Sequence, residues 1–205
     1  MHKTLSSLGS KWAPSRFLNS DGAFDELYPE EIRVHARRHW TPLHIARQAS
    51  HFLGTHAGAR VLDIGSGVGK FCLAAAYYKP FAFFTGVEQR ANLVEYANKA
   101  GTVLDLRNCE FIHSNFTQLD FHEFDHFYFY NSFYENLADT DKIDESIAYS
   151  DALYYYYSRQ LYSKLDEMPP GTRLVTYYSL GEEVPKCFSL VGTGHVEFLK
   201  YWIKI

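Results

Sequence analysis

Three glycines, two acids and an asparagine–tyrosine pair are the residues whose types and spacing could do chemistry. Gly65, Gly67 and Gly69 fall within five residues, with Ser66 and Val68 between them. Before them stands the apolar run Val61, Leu62, Ile64, interrupted by Asp63. Such a run reads as a fully buried parallel strand. After them, Phe71 to Tyr78 is rich in alanine, leucine and aromatics and reads as a helix packed on a sheet. Glycine reaches backbone angles barred to other residues and has no side chain to hold a ligand away. Strand, turn and helix start thus make a corner that binds an anion or a nucleotide.

Spacing separates the ligand classes. A phosphate-binding P-loop needs Gly, four residues, Gly-Lys, then Ser or Thr. Here Phe71 follows Gly69-Lys70, and Ile64 stands where the first glycine belongs. A dinucleotide fingerprint needs a third glycine where Lys70 stands. What remains is Gly-x-Gly-x-Gly with an acid two residues ahead. This resembles motif I of the class I S-adenosylmethionine-dependent methyltransferases. The resemblance covers residues 41–205 and implies that Asp63, Gly65, Ser66, Gly67 and Gly69 form the cofactor turn.

The next strand, Phe81 to Glu88, ends in an acid about 20 residues past the glycines, the place of a carboxylate that accepts ribose hydroxyls. The resemblance gives Glu88 that role. A third strand, Cys109 to His113, leads to Ser114-Asn115-Phe116. By the resemblance Asn115 accepts from the adenine amino group and Phe116 packs on the ring. A fourth strand, Phe124 to Tyr130, delivers Asn131-Ser132-Phe133-Tyr134 to the sheet edge where ligands of such folds bind. Many methyltransferases acting on nitrogen carry Asp, Asn or Ser, usually two prolines, then an aromatic at this point. Asn131 and Tyr134 match its two ends; Ser132 and Phe133 replace the prolines. Asn131 and Tyr134 are therefore the candidate catalytic pair. His39, His113 and Glu135 are candidate bases that no spacing selects. No metal is expected, because displacement at a sulfonium expels a neutral group.

The remaining elements must position these residues. Residues 1 to about 23 lack periodicity and read as a poorly ordered arm. Pro29 to Trp40 reads as a helix carrying the one basic cluster, Arg33, His35, Arg37, Arg38 and His39. It is either a solvated face or a dock for an acidic substrate group. Thr41 as N-cap and Pro42 start another helix that Gly54 ends. In the resembling family a segment here folds over the cofactor, which makes Trp40 and Thr41 pocket residues. A helix follows over about 90–106. Residues 137–150 hold Asp139, Asp141, Asp144 and Glu145 and read as an exposed acidic loop, a candidate lid. A helix from Asp151 to Met168 contains four adjacent tyrosines, which must point all around it. A fifth strand runs from Arg173 to Leu180. Two final strands, Cys187 to Val191 and His195 to Ile205, are joined at Gly192-Thr193-Gly194.

The fold expected is α/β: a doubly wound, seven-stranded, mostly parallel sheet with an antiparallel C-terminal strand. Residues 1–40 form an arm and helix, and 41–205 the S-adenosylmethionine-binding domain. At 205 residues the chain suits one core. Its formal charge of −4 argues against a nucleic-acid partner. Three widely spaced cysteines suit a reducing compartment rather than a disulfide framework. No run of about 18 apolar residues predicts a membrane span, and the N-terminus lacks the apolar core of a signal peptide. The expectation is a cytoplasmic methyltransferase with S-adenosyl-L-methionine as cofactor, N-directed, on a small molecule or a protein lysine. The alternatives are an O-methyltransferase of a small aromatic substrate and a non-catalytic cofactor-binding module.

Overall fold

A computed structural model describes residues 14–194 and 196–205. The N-terminal part of the expected arm, residues 1–13, lies outside them. Seven strands form one sheet: β1 (Arg60–Ile64), β2 (Phe83–Glu88), β3 (Cys109–His113), β4 (His126–Phe129), β5 (Arg173–Tyr177), β6 (Phe188–Thr193) and β7 (Leu199–Lys204). Their order is β3-β2-β1-β4-β5-β7-β6. The first five are parallel to one another, and β7 runs antiparallel to both β5 and β6. This is the expected sheet, with its topological switch between β1 and β4.

Side-chain alternation divides the core. Val61, Tyr128 and Val175 point to one face; Leu62, Phe127 and Leu174 point to the other. The first face is covered by α5 (Leu43–Leu53), α6 (Lys70–Tyr78) and α7 (Ala91–Val103). The second is covered by α8 (Asp151–Asp166), which buries Leu161 and Leu165 there. No helix of α type joins β3 to β4. Two single 3₁₀ turns, Phe116–Gln118 and Phe121–Glu123, bury Phe116 and Phe121 on that face instead. In α8, Tyr154 and Tyr157 are buried while Tyr155 and Tyr156 are exposed, as adjacent helical residues must be.

Several local expectations need correction. Residues 14–23 are not a loose arm. α1 (Pro14–Phe17) and α2 (Asp21–Asp25) bury Phe17 and Phe24 in the first-face core. Pro29 to Trp40 is not one helix. It breaks into α3 (Glu30–Arg33) and α4 (Ala36–His39), with Val34 exposed at the break. Ile32 and Trp40, on either side of the break, both reach the core. Thr41 does not cap α5. Its hydroxyl meets the buried Tyr128 hydroxyl at 3.0 Å, and the Leu43 N–H donates to Asp21 instead. The closing hairpin turns later than expected. Gly192 and Thr193 lie inside β6, opposite Tyr201 and Lys200, after a bulge at Leu190/Gly192. Gly194 then closes the hairpin by donating to the Leu199 carbonyl.

Candidate functional site

A cavity of about 630 Å³ opens at the carboxyl ends of β1, β2, β4 and β5. That is the crevice where open α/β sheets bind ligands, and its size suits a small-molecule site. Its floor is the glycine turn after β1. Its roof has two walls: the chain around α4 up to Pro42, and the segment that follows β4 through Tyr149. The walls meet at an exposed ion pair between Arg38 and Asp141.

The three motif glycines do different work. Gly69 has φ +81°, and a Cβ there would lie 2.4 Å from the Phe111 ring, so it is a packing glycine. Gly65 backs onto Ser132, whose hydroxyl donates to the Ile64 carbonyl at 2.6 Å. Only Gly67, at φ +54°, would have open space around an added Cβ; both Gly65 and Gly67 line the cavity. The Gly67 N–H donates to Glu88 Oε2 at 3.0 Å, and the Arg90 N–H donates to Oε1 at 3.0 Å. Glu88 is 5% exposed and lines the cavity. Burial raises its pKa; the Arg90 charge and the two backbone N–H groups pull against that.

The other expected cofactor residues divide. Trp40 and Phe116 line the cavity; Thr41, Asp63, Ser66, Gly69 and Asn115 do not. Ser66 Oγ is buried with no hydrogen-bond partner. Asn115 is saturated: its amide oxygen accepts from the Thr117 N–H and hydroxyl, and its NH₂ donates to Gln89 and Tyr157. The oxygen that the resemblance assigns to adenine is thus spent on capping a 3₁₀ turn. Ser114, Gln89 and Tyr157, which that reading passed over, line the cavity instead.

At the other end stand Asn131 and Tyr134, with Tyr130, Tyr177 and Tyr178. Asn131 (φ 34°) and Tyr178 (φ 52°) are non-glycine residues in the left-handed region, just past β4 and β5. Such backbone costs about 1–3 kcal/mol each and clusters at functional sites. Of the three candidate bases, His113 lies outside the cavity with Nε2 against the Gln89 carbonyl. Glu135 lines it but is bound to Arg90 at 2.6 Å. His39 lines it, and its pKa falls to about 4, chiefly through burial and then through His35, Arg90 and Arg38, against Asp141. It is a neutral imidazole at pH 7.

Arg90 is the residue that sequence reasoning missed. Its guanidinium is 4% exposed and reaches Glu88, Glu135 and Asp144, at 3.5, 2.6 and 3.2 Å, and the Tyr149 hydroxyl. Burial works against its charge, but Glu135 and Glu88 hold it protonated more firmly than usual. It ties the β2 end to residues 135–149. That segment is therefore not simply an exposed acidic loop: Ile143, Ile147 and Tyr149 line the cavity.

The donor set fits S-adenosylmethionine. Gly67 offers bare backbone, Glu88 a carboxylate for hydroxyl donors, and Val68, Val87 and Phe116 apolar contact. Arg37 and Arg38 also line the cavity, but neither Arg90 nor Lys70 is free for a phosphate at the glycine turn. Arg90 is held by carboxylates, and Lys70 turns away to Asp21 and Asp25.

Asp63 sits behind the turn, 3% exposed, accepting from the Cys72 thiol at 3.6 Å. Burial pushes its pKa up to about 8, with Glu88 adding to the rise and the thiol opposing it. The folded state thus keeps a proton that the unfolded state releases near the ordinary carboxylate pKa of about 3.9. The unfolded state then binds fewer protons between about pH 4 and pH 8, so this group's contribution to stability falls as pH rises through that window. Asp63→Asn cannot titrate. The stability of the variant relative to wild type should rise from pH 4 to pH 8, as read from denaturant unfolding at each pH. A flat difference would mean that Asp63 is ionised in the fold.

A methyltransferase-domain family model matches residues 55–149. Among curated proteins none matches the sequence. Solved structures share the fold. TrmN from Thermus thermophilus is 16% identical at TM-score 0.55, with 85% of this chain and 52% of that one covered, so the chain spans about half of that protein's length. An RNA methyltransferase from Salinibacter ruber, in complex with S-adenosyl-L-homocysteine, is 21% identical at TM-score 0.51, over 80% of this chain and 91% of that one. A point mutant of MtNAS in complex with S-adenosylmethionine is 14% identical at TM-score 0.56, over 93% of this chain and 70% of that one. No helix among the described residues is long and apolar enough to cross a membrane. The matched domain over residues 55–149, the sheet order and the glycine turn with its acid agree with one another: the chain has the fold of the class I S-adenosylmethionine-dependent methyltransferases and carries a segment that matches a methyltransferase domain.

Proposed function

We propose that the chain binds S-adenosyl-L-methionine and transfers its methyl group to a nitrogen of a small molecule or a protein lysine. The observation that carries the nitrogen reading is the state of Asn131. It lines the cavity just past β4, and its side-chain amide makes no hydrogen bond among the described residues, whereas that of Asn115 is saturated. An amide oxygen can accept from an amine N–H without taking the proton. Asn131 would so aim the nitrogen lone pair. When bound, the cofactor supplies an electrophilic methyl on a sulfonium. Glu88 would hold the ribose and Gly67 would let it approach. Trp40 and the segment through Tyr149 exclude water, and alignment in a dry site is the main source of rate in such a displacement. His39, held neutral, adds no charge to repel a sulfonium. The formal charge of −4 supports an acceptor other than nucleic acid.

A second reading, transfer to oxygen of a small aromatic, is favoured by the ring wall of Tyr130, Tyr177 and Tyr178, with neighbouring centroids 4.7 and 4.6 Å apart. Incubation with labelled S-adenosylmethionine against lysine peptides, small amines and catechols separates the readings, with mass spectrometry assigning the methylated atom. Cofactor binding with no S-adenosylhomocysteine formed on any acceptor would indicate a non-catalytic module. On a competent acceptor, Asn131→Ala should lower turnover by about tenfold or more, about 1.4 kcal/mol, with cofactor affinity unchanged. Full activity in that variant would remove the nitrogen argument.

A further inference from the structure

Lys70 occupies the position where a dinucleotide fingerprint would have its third glycine, yet it faces away from the cavity. It is the first residue of α6 and only 4% exposed. Its ammonium lies 2.8 Å from Asp21 and 2.9 Å from Asp25, both on α2. It also stands over the rings of Phe24 and Trp40, at 5.2 and 5.6 Å. Nearby, the Tyr28 hydroxyl donates to the Val68 carbonyl inside the glycine turn, and Tyr28 meets Trp40 edge-on at 4.8 Å. Asp21 accepts the first free N–H of α5 as well.

These contacts share one consequence. The chain from α1 to α4 is four helices of four or five residues each. Helices so short do not persist without tertiary support. The same stretch ends in the wall that carries His39 and Trp40 to the cavity. A buried cation against two carboxylates and two rings ties that stretch to the turn, because a buried ammonium must keep its partners.

We propose that Lys70 is a positioning residue for the cofactor: by gripping Asp21 and Asp25 it seats residues 21–42 on the glycine turn, and so sets cofactor affinity without touching the cavity. The inference rests on the cavity's being the S-adenosylmethionine site. Lys70→Met removes the charge and keeps the bulk. Asp21→Asn/Asp25→Asn removes the partners' charges from partly exposed positions and keeps the acceptor for Leu43. It serves as the second route should the first variant fail to fold.

The full chain is titrated with S-adenosylmethionine by calorimetry, and amide exchange is followed over residues 21–42 and over β1 to β4. Each folded variant should bind about tenfold more weakly or worse. Exchange should quicken over 21–42 and stay at the wild-type rate in β1 and β4. Binding within about threefold of wild type overturns the role. So does a uniform rise in exchange across the sheet, which would make Lys70 a general stability residue. Failure of the wild-type chain to bind S-adenosylmethionine would instead sink the cofactor reading; local release of 21–42 in the variants would still report the clamp.

Discussion

Glu88→Ala is expected to lower the affinity for S-adenosylmethionine by at least about tenfold. A carboxylate–hydroxyl contact is worth about 1.5–3 kcal/mol, and each 1.4 kcal/mol is a factor of ten. The fold shows that the residue has a second job. Its two oxygens already accept the Gly67 and Arg90 N–H groups, so it braces the turn from inside while facing the cavity. On its proposed role, alanine therefore removes a ligand group and frees a turn at once. Glu88→Gln separates the two. It keeps one acceptor oxygen and loses the charge, so the binding loss should be smaller than in the alanine variant. Calorimetry gives the affinities, and amide exchange at Gly67 and Arg90 tells whether the turn has loosened. If both variants bind as wild type does, Glu88 is a brace alone. Tight binding of a nicotinamide dinucleotide would show that the cofactor was misassigned.

What was legible in the sequence is what backbone geometry demands locally. A glycine turn between an apolar run and a helix, followed by an acid at the next strand end, places motif and carboxylate without knowledge of the rest of the chain. The mostly parallel sheet with its antiparallel end followed from the same alternation. What was not legible depends on partners far away in sequence. Nothing in Thr41 tells that its hydroxyl will meet Tyr128, 87 residues on. Nothing in Asn115 tells that Thr117, Gln89 and Tyr157 will fill its bonds. Three glycines look equivalent in a motif, yet Phe111 packs where a Cβ of Gly69 would be and Ser132 where one of Gly65 would be, while Gly67 has open space and Gly65 and Gly67 line the cavity. The basic stretch 33–39 read as one helical face. The structure breaks it in two around Val34 and brings His39 to the cavity. The acidic character of 137–150 was plain, but its anchor was not, because Arg90 lies 54 residues before Asp144.

That anchor supports the other large expected effect. Arg90→Met should destabilise the chain by about 3–5 kcal/mol, the usual result of removing one partner from a buried charge cluster. The cost arises from what is left behind. Glu88 is 5% exposed, and Glu135 has a side chain 13% exposed, so neither rehydrates without the wall moving. Asp144, at 30%, does so more readily. The rise in the Glu88 pKa from burial is now restrained partly by the Arg90 charge, so the variant should drive Glu88 toward protonation. Two relaxations compete: Glu88 takes up a proton, or residues 135–149 swing out and admit water. Both weaken a carboxylate's hold on ribose, so cofactor affinity should fall with stability. A further change, Glu135→Gln, removes one of the stranded charges and should restore part of the loss, because the two sites share one network. Denaturant unfolding of wild type, both single variants and the double variant measures this coupling. An additive result would mean that Arg90 and Glu135, though 2.6 Å apart, do not depend on each other, and that the wall is held by the apolar contacts of Ile143 and Ile147 instead.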